Sequence, residues 1–233
     1  MKTSIKLLLG LALALIIAMF GAAISIRHQF DSIDKSDKYS RWQKKPLSTF
    51  HAVQITGPSA AVVQIEPGNS TRLLADTINP WKKSTYSYRV ERDTLFLHVN
   101  PAEGWSFRVD DEDDEWHNPQ FVVQLPLLQA VSTINANCQI HEFKGDGLTL
   151  TQRGKGGTTL VEHVRFNQLT ALLSGRNQLV LRDSTNSLVK GAITARDSSR
   201  LFQYTNFQQG LSIVTDPTVK LRLTGKALQQ IQQ

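Results

Sequence analysis

Between residues 147 and 225 the sequence runs LTLTQRGKGG (148–157), LTALLSGRN (169–177), GAITARDS (191–198) and LSIVTDPT (211–218), each an alternating apolar stretch that ends in a polar corner. Alternation with a period of two marks a β-strand with one buried face. The corners Arg153-Gly154-Lys155-Gly156-Gly157, Ser174-Gly175-Arg176-Asn177, Ala195-Arg196-Asp197-Ser198 and Thr215-Asp216-Pro217-Thr218 return about every 21 residues. Lys155, Arg176 and Asp197 follow one another at steps of 21 and 21, and the next step, to Asp216 or Pro217, is 19 or 20. A constant period of that length with strand patterning predicts stacked rungs of a β-solenoid, in which no rung buries its apolar face alone. The inward residues expected are Leu148, Leu150, Leu160, Leu169, Leu179, Leu181, Ile193, Leu211, Ile213, Leu221 and Leu223, stacked into ladders at the strand spacing of about 4.8 Å.

Upstream of the repeat, strand still follows strand. Residues 50–56 alternate, 57–59 turn, and 61–65 run to the turn at Pro67-Gly68-Asn69. Tyr86, Tyr88 and Val90, then Leu95, Leu97 and Val99, predict a hairpin about the loop 91–94, with further strands at 107–109 and 121–125. This hairpin-rich part is expected to cap the first rung at one end, and a helical turn near 227–231 to fold over the last.

Residues 7–26 carry no charge and are flanked by Lys2 and Lys6 before and Arg27 after, a stretch of bilayer length. An uncleaved single-pass anchor is favoured over a cleaved leader, because the small-residue site at Gly21-Ala22-Ala23 is followed by more apolar chain. The positive flank keeps the N-terminus in the cytoplasm and places the rest outside it, in the periplasm or beyond the cell. The domain reading is therefore a membrane anchor over 1–27, a polar linker over 28–46, a solenoid domain over 47–226 (N-terminal strands and hairpins to 125, repeat rungs from 126) and a tail over 227–233. Cys138 is the single cysteine, which excludes an intrachain disulfide and suits a small core residue.

The net charge of +6 is uneven: residues 1–115 hold 14 Lys and Arg against 14 Asp and Glu, and residues 116–233 hold 12 against 6. An exported basic surface points to an envelope polyanion such as acidic polysaccharide, and away from nucleic acid.

Phe50-x-x-Val53-x-Ile55-x-Gly57, Val63-x-Ile65-x-x-Gly68, Leu95-x-Leu97 and Leu125-Pro126-x-Leu128-x-x-Val131, leading into the corner Ser174-Gly175, together resemble the putative auto-transporter adhesin head domain family. The resemblance covers roughly residues 49–225. It implies an exported bacterial domain with a right-handed β-solenoid fold and no established catalysis. Members usually carry Gly-Ser corners, whereas Asn135-Ala136-Asn137, Gly154-Lys155-Gly156-Gly157 and Ala195-Arg196-Asp197-Ser198 stand at equivalent places here. A corner without glycine needs backbone angles that a side chain tolerates.

Three constellations carry charge. Asp110, Asp111, Glu112, Asp113, Asp114 and Glu115 offer hard oxygens for Ca²⁺, with Asp110, Asp111, Asp113 and Asp114 as ligands, but lack the glycine and spacing of an EF-hand and read first as a solvated loop. His141-Glu142 and Glu162-His163 lie one period apart, so each histidine falls beside the other rung's glutamate; two histidines without a third fixed ligand read as a surface charge ladder rather than a metal site. Lys155, Arg176 and Arg196, with Arg153 beside the first, fall at one corner of successive rungs and form the expected ligand-binding edge for an elongated polyanion. No phosphate loop, nucleophile elbow or paired-histidine motif is present, so neither a catalytic residue nor a cofactor is expected.

The reading is an all-β, membrane-anchored envelope protein with a short right-handed solenoid of about 21 residues per rung, acting as a non-catalytic adhesin-like binding or scaffolding module for an anionic polysaccharide or an envelope protein. An envelope sensor or partner-regulating protein is the alternative, and a polysaccharide-processing enzyme comes third.

Overall fold

The computed structural model describes residues 3–31, 37–58, 61–76, 85–100, 119–182 and 186–224, in two compact units, Met1–Arg41 and Trp42–Gln233. The acidic run 110–115, the strand expected at 107–109 and the tail 227–233 lie outside the described residues. The first unit holds α1 (Thr3–Asp31). Within its segment Ile5–Asp31 an 18-residue window reaches a mean hydropathy of 2.7, and 29 residues at the α-helical rise reach about 43 Å, beyond the ~30 Å of a hydrocarbon core. This helix is long and apolar enough to cross a bilayer, properties that a signal sequence shares.

The second unit is built from strands: β1 (Gln43–Pro46), β2 (Ala52–Thr56), β3 (Val62–Pro67), β4 (Arg72–Ala75), β5 (Thr85–Glu91), β6 (Thr94–Asn100), β7 (Phe121–Leu125), β8 (Ala130–Ile134), β9 (Asn137–His141), β10 (Lys144–Arg153), β11 (Gly157–Glu162), β12 (Arg165–Leu173), β13 (Asn177–Leu181), β14 (Ser187–Ala195), β15 (Arg200–Gln203), β16 (Phe207–Thr215) and β17 (Lys220–Leu223). They form two sheets. Sheet A runs β1-β4-β7-β3-β9-β11-β13-β15-β17, and sheet B runs β16-β14-β12-β10-β8-β2-β6-β5. Each rung donates one strand to each sheet, and from β8 onward the chain climbs rung by rung in parallel register. Cys138 pairs with Thr159, Thr159 with Leu179, Leu179 with Leu201 and Leu201 with Leu221, steps of 21, 20, 22 and 20 residues. The solenoid and its period of about 21 are thus the architecture of this chain.

The stack reaches further toward the N-terminus than the repeat, and its order is not the chain order. β2 lies between β6 and β8, and β3 lies between β7 and β9. The chain therefore lays down the rung of β2 and β3, leaves through β4 and β5, adds the rung of β6 and β7 outside it, and then passes over the earlier rung to begin β8. The link between β7 and β8 has four residues (126–129) where the links from β9 to β10 and from β11 to β12 have two. Two further residues add roughly 6.6 Å of reach, enough for one extra strand spacing of about 4.8 Å. The hairpin is formed as expected, with Arg92 and Asp93 at φ of 45° and 68° in its turn, but its second strand is itself a rung. Antiparallel strands close this end: β5 on sheet B, β4 and β1 on sheet A. The two edges meet where Tyr86 Oη donates to Gln43 Oε1 at 3.2 Å and Lys45 Nζ sits 5.0 Å above the Tyr86 ring. β1 falls within the stretch expected to be linker.

Between the sheets runs a continuous apolar core. On sheet B the row Leu95, Val53, Val131, Leu150, Ala171, Ile193, Ile213 crosses seven strands. On sheet A the row Val123, Ile65, Ile140, Val161, Leu181 faces it, and all five residues are fully buried. Cys138 lies on the neighbouring inward row between Val63 and Thr159, where burial pushes its thiol pKa far up and leaves it an inert core residue. Gly191 interrupts the row Leu148, Leu169, Leu211, and the Phe207 ring occupies the space a side chain there would take.

Leu221, in register with buried Leu201 on the last described strand, is 43% exposed instead of buried, and a second inward assignment is corrected in direction. Leu160 pairs with Gln139 and Val180 and points away from the core, while its neighbours Thr159 and Val161 point inward. Leu160 is nevertheless fully buried, because the middle of sheet A is covered on both faces: every residue of β7 and of β13 is buried. A strand buried on both sides has no alternation, and its inward residues cannot be chosen by hydrophobicity. Sheet B does alternate, as in β12 and β14. Its outer face and the corners are the accessible surfaces.

Candidate functional site

Corners on the side where sheet B leads into sheet A share one backbone device. Gly57, Asn135, Gly154, Gly175 and Asp197 occupy one register position in five rungs, with φ of 145°, 55°, 106°, 79° and 57°. Where glycine is replaced, Asn and Asp stand in, the side chains that best tolerate positive φ. Close packing of rungs adds a second demand. A Cβ on Gly175 would lie 1.8 Å from the Gly154 carbonyl oxygen, and one on Gly154 would lie 2.1 Å from Asn135 Oδ1. Side chains complete the stack: Asn135 Oδ1 accepts from the Lys155 amide at 2.6 Å, and Asp216 Oδ2 from the Asp197 amide at 2.8 Å. Hydrogen bonds from the Thr218 hydroxyl, then from the Asp197 and Thr218 amides, hold the Asp216 carboxyl below the usual range, with a smaller share from the Arg196 charge.

Arg153, Lys155, Arg176 and Arg196 are all exposed on this one edge. Register places Arg153 and Arg196 level, with Ser174 on the rung between them, while Arg176 is level with Gly156 and Lys155 is the extra residue of its corner, between Gly154 and Gly156. The four cations are staggered around three successive corners rather than stacked in one file, an arrangement that lowers their mutual repulsion.

On the opposite edge, where sheet A returns to sheet B, the second constellation assembles. His141 pairs in register with Glu162, and the next residue of each rung, Glu142 and His163, takes a left-handed conformation with φ of 62° and 56°. His141 Nε2 lies 3.9 Å from Glu162 Oε1, His141 Nδ1 lies 3.6 Å from Glu142 Oε1, and the two imidazole rings are 4.8 Å apart between centroids. Glu162, which the period sets beside His141, is a fixed third donor here: its Oε1 accepts from Gln139 Nε2, and its side chain is only 15% exposed. His141, Glu162 and His163 bring one donor atom each within 4.8 Å of one another.

The same outward row extends to both sides of this cluster. Arg72 Nε donates to Gln124 Oε1, Gln124 Nε2 to Glu66 Oε1 at 2.6 Å, and Gln64 Nε2 to Glu66 Oε2, so a carboxylate only 7% exposed is held by two amides. Glu66 escaped the sequence reading because its partner Gln124 lies 58 residues away, a separation set by the displaced rung and not by the 21-residue period. His51 and Asp93, 2.8 Å apart, are joined by the same displacement. Among the described residues no other cluster of three metal-binding side chains occurs.

No protein-family model matches this chain, and no curated protein matches it. The chain is similar to solved structures of putative adhesins. One, from Parabacteroides distasonis, is 12% identical over 79% of this chain and 78% of that one, with a TM-score of 0.42. A second, from Bacteroides fragilis, is 10% identical over 78% and 96%, with a TM-score of 0.36. A putative lipid binding protein from Parabacteroides distasonis is 9% identical over 79% and 97%, with a TM-score of 0.37.

Proposed function

We propose that this protein is a membrane-anchored, non-catalytic envelope module of the adhesin-like class, and that it grips an acidic polysaccharide along the edge carrying Arg153, Lys155, Arg176 and Arg196. The observation that carries the reading is the exposure of these four cations on successive corners of one edge, in the half of the chain that holds the whole net positive charge. A polymer with repeating negative charge meets a surface with repeating positive charge, and each rung adds a contact of the same kind. In this reading α1 is the anchor. Protein recovered from membranes is expected to keep its N-terminus, as read by intact mass; a mature chain beginning after Gly21-Ala22-Ala23 would make the helix a leader.

The test of binding uses an alginate matrix and the full chain in detergent. Retention is expected to weaken steeply above physiological salt, where the screening length falls below about 8 Å. The triple variant K155E/R176E/R196E is expected to lose retention while its thermal melt stays close to that of wild type, since exposed corner side chains contribute little to the core. A folded triple variant that is retained with unchanged salt dependence would remove this edge as the binding surface.

A further inference from the structure

We infer that His141, Glu162 and His163 form a binding site for a zinc-type divalent cation that staples two successive rungs. The inference is independent of the polysaccharide edge, which lies at the other side of the sheets. Two observations carry it. The register sets His141 on β9 directly beside Glu162 on β11, and the left-handed corner at His163 turns a second imidazole back toward the same point. All three donor atoms lie within 4.8 Å of one another. Tetrahedral zinc with bonds of about 2.0–2.1 Å holds its donors about 3.4 Å apart, so small side-chain rotations close the site.

The donor set selects the cation. Two imidazoles and one carboxylate suit Zn²⁺ and its transition-metal neighbours, whereas Ca²⁺ and Mg²⁺ require oxygen ligands throughout. Glu162 is oriented from behind by the Gln139 amide, the kind of outer contact that fixes a ligating carboxylate. His163 is exposed and gives the ion an entry path, a water completes four-coordination, and Glu142, 3.6 Å from His141 Nδ1, orients the ring from the nitrogen that does not face Glu162. Arg182 follows Glu162 on the same row but makes no ion pair with it among the described residues, so the carboxylate faces the histidines. A cation here ties the third rung of the stack to the fourth, just after the chain has crossed back over the rung of β2 and β3.

Untagged full-length protein in detergent, titrated with Zn²⁺ against a chromophoric chelator, is expected to take up one ion per chain and to melt at a higher temperature with Zn²⁺ than without. Ca²⁺ and Mg²⁺ are expected to leave the melt unchanged. The double variant H141Q/H163N keeps a side chain suited to positive φ at residue 163, so its zinc-free melt should match that of wild type. Its zinc affinity is expected to fall by more than about 100-fold, beyond what loss of an outer-shell contact causes. E162Q should fall in the same direction with its backbone pairing intact. Absence of zinc uptake by wild type, or undiminished uptake by the folded double variant, would overturn the site.

Discussion

Leu181→Asp is expected to unfold the solenoid in one cooperative step, lowering the thermal midpoint so far that most of the chain is unfolded at room temperature. Leu181 is fully buried and sits in register between Val161 and Gln203, facing the opposite sheet across the core. An aspartate there has no cation within its row and no exposure to solvent, so it costs about 4 kcal/mol or more, the range kept for unpaired charges in a core. Each rung buries its apolar face only against its neighbours, and loss of one middle rung exposes those on both sides. The neighbouring position already carries part of that burden: Gln203 is fully buried and neither atom of its amide finds a partner among the described residues, which costs on the order of 1–3 kcal/mol relative to a leucine. Circular dichroism melts of the full chain check the prediction, and an unchanged midpoint for L181D would mean that the row faces solvent.

Gly175→Ala should be nearly as damaging although it adds one methyl group at a surface corner. Positive φ alone costs an alanine roughly 1 kcal/mol. The larger effect is steric, since the new Cβ would lie 1.8 Å from the Gly154 carbonyl oxygen of the adjacent rung, a contact relieved only by moving one backbone away from the other. Separating two rungs at a corner breaks the ladder hydrogen bonds next to it, and a total of about 3 kcal/mol or more is expected. Gly156→Ala is the internal control. Gly156 also has positive φ, 148°, but no atom lies within 4 Å of its Cβ position, so only the conformational part of the cost applies. Equal melting temperatures for G175A and G156A would show that rung-to-rung contact does not govern this corner.

Much of the fold was legible in local pattern. Alternation located the strands of sheet B, because one face of that sheet meets solvent and the other the core; Leu148, Leu150, Leu169, Ile193 and Leu211 all point where alternation puts them. Corner residues were equally readable at Gly154, Gly175 and Asn135, where a left-handed backbone restricts the choice of side chain whatever surrounds it. Leu160 was misread for the complementary reason: burial on both faces of sheet A removes the contrast on which the pattern depends. For the charged sites, the period was sufficient to set His141 beside Glu162 and to collect the four cations on one edge. It was not sufficient to show that Gln139 holds Glu162, a diagonal side-chain contact across one step of 21, or that the cations stagger, which depends on steps of 20 and 22 residues between other rungs.

By itself, then, the amino-acid sequence determined the apolar helix, the strand repeat with its period near 21, the residues able to turn each corner and the half of the chain that carries the positive charge. These are properties of local spacing and composition, and every one is set within a few residues of chain. Only the tertiary structure decided that the rung of β6 and β7 lies outside that of β2 and β3, that Glu66 is held by Gln124, and that Glu162 completes a three-donor cluster with His141 and His163. The reason is that parallel strands pair through hydrogen bonds that are indifferent to sequence separation. A four-residue link has the reach to permit that order, and the burial gained by the whole stack rewards it.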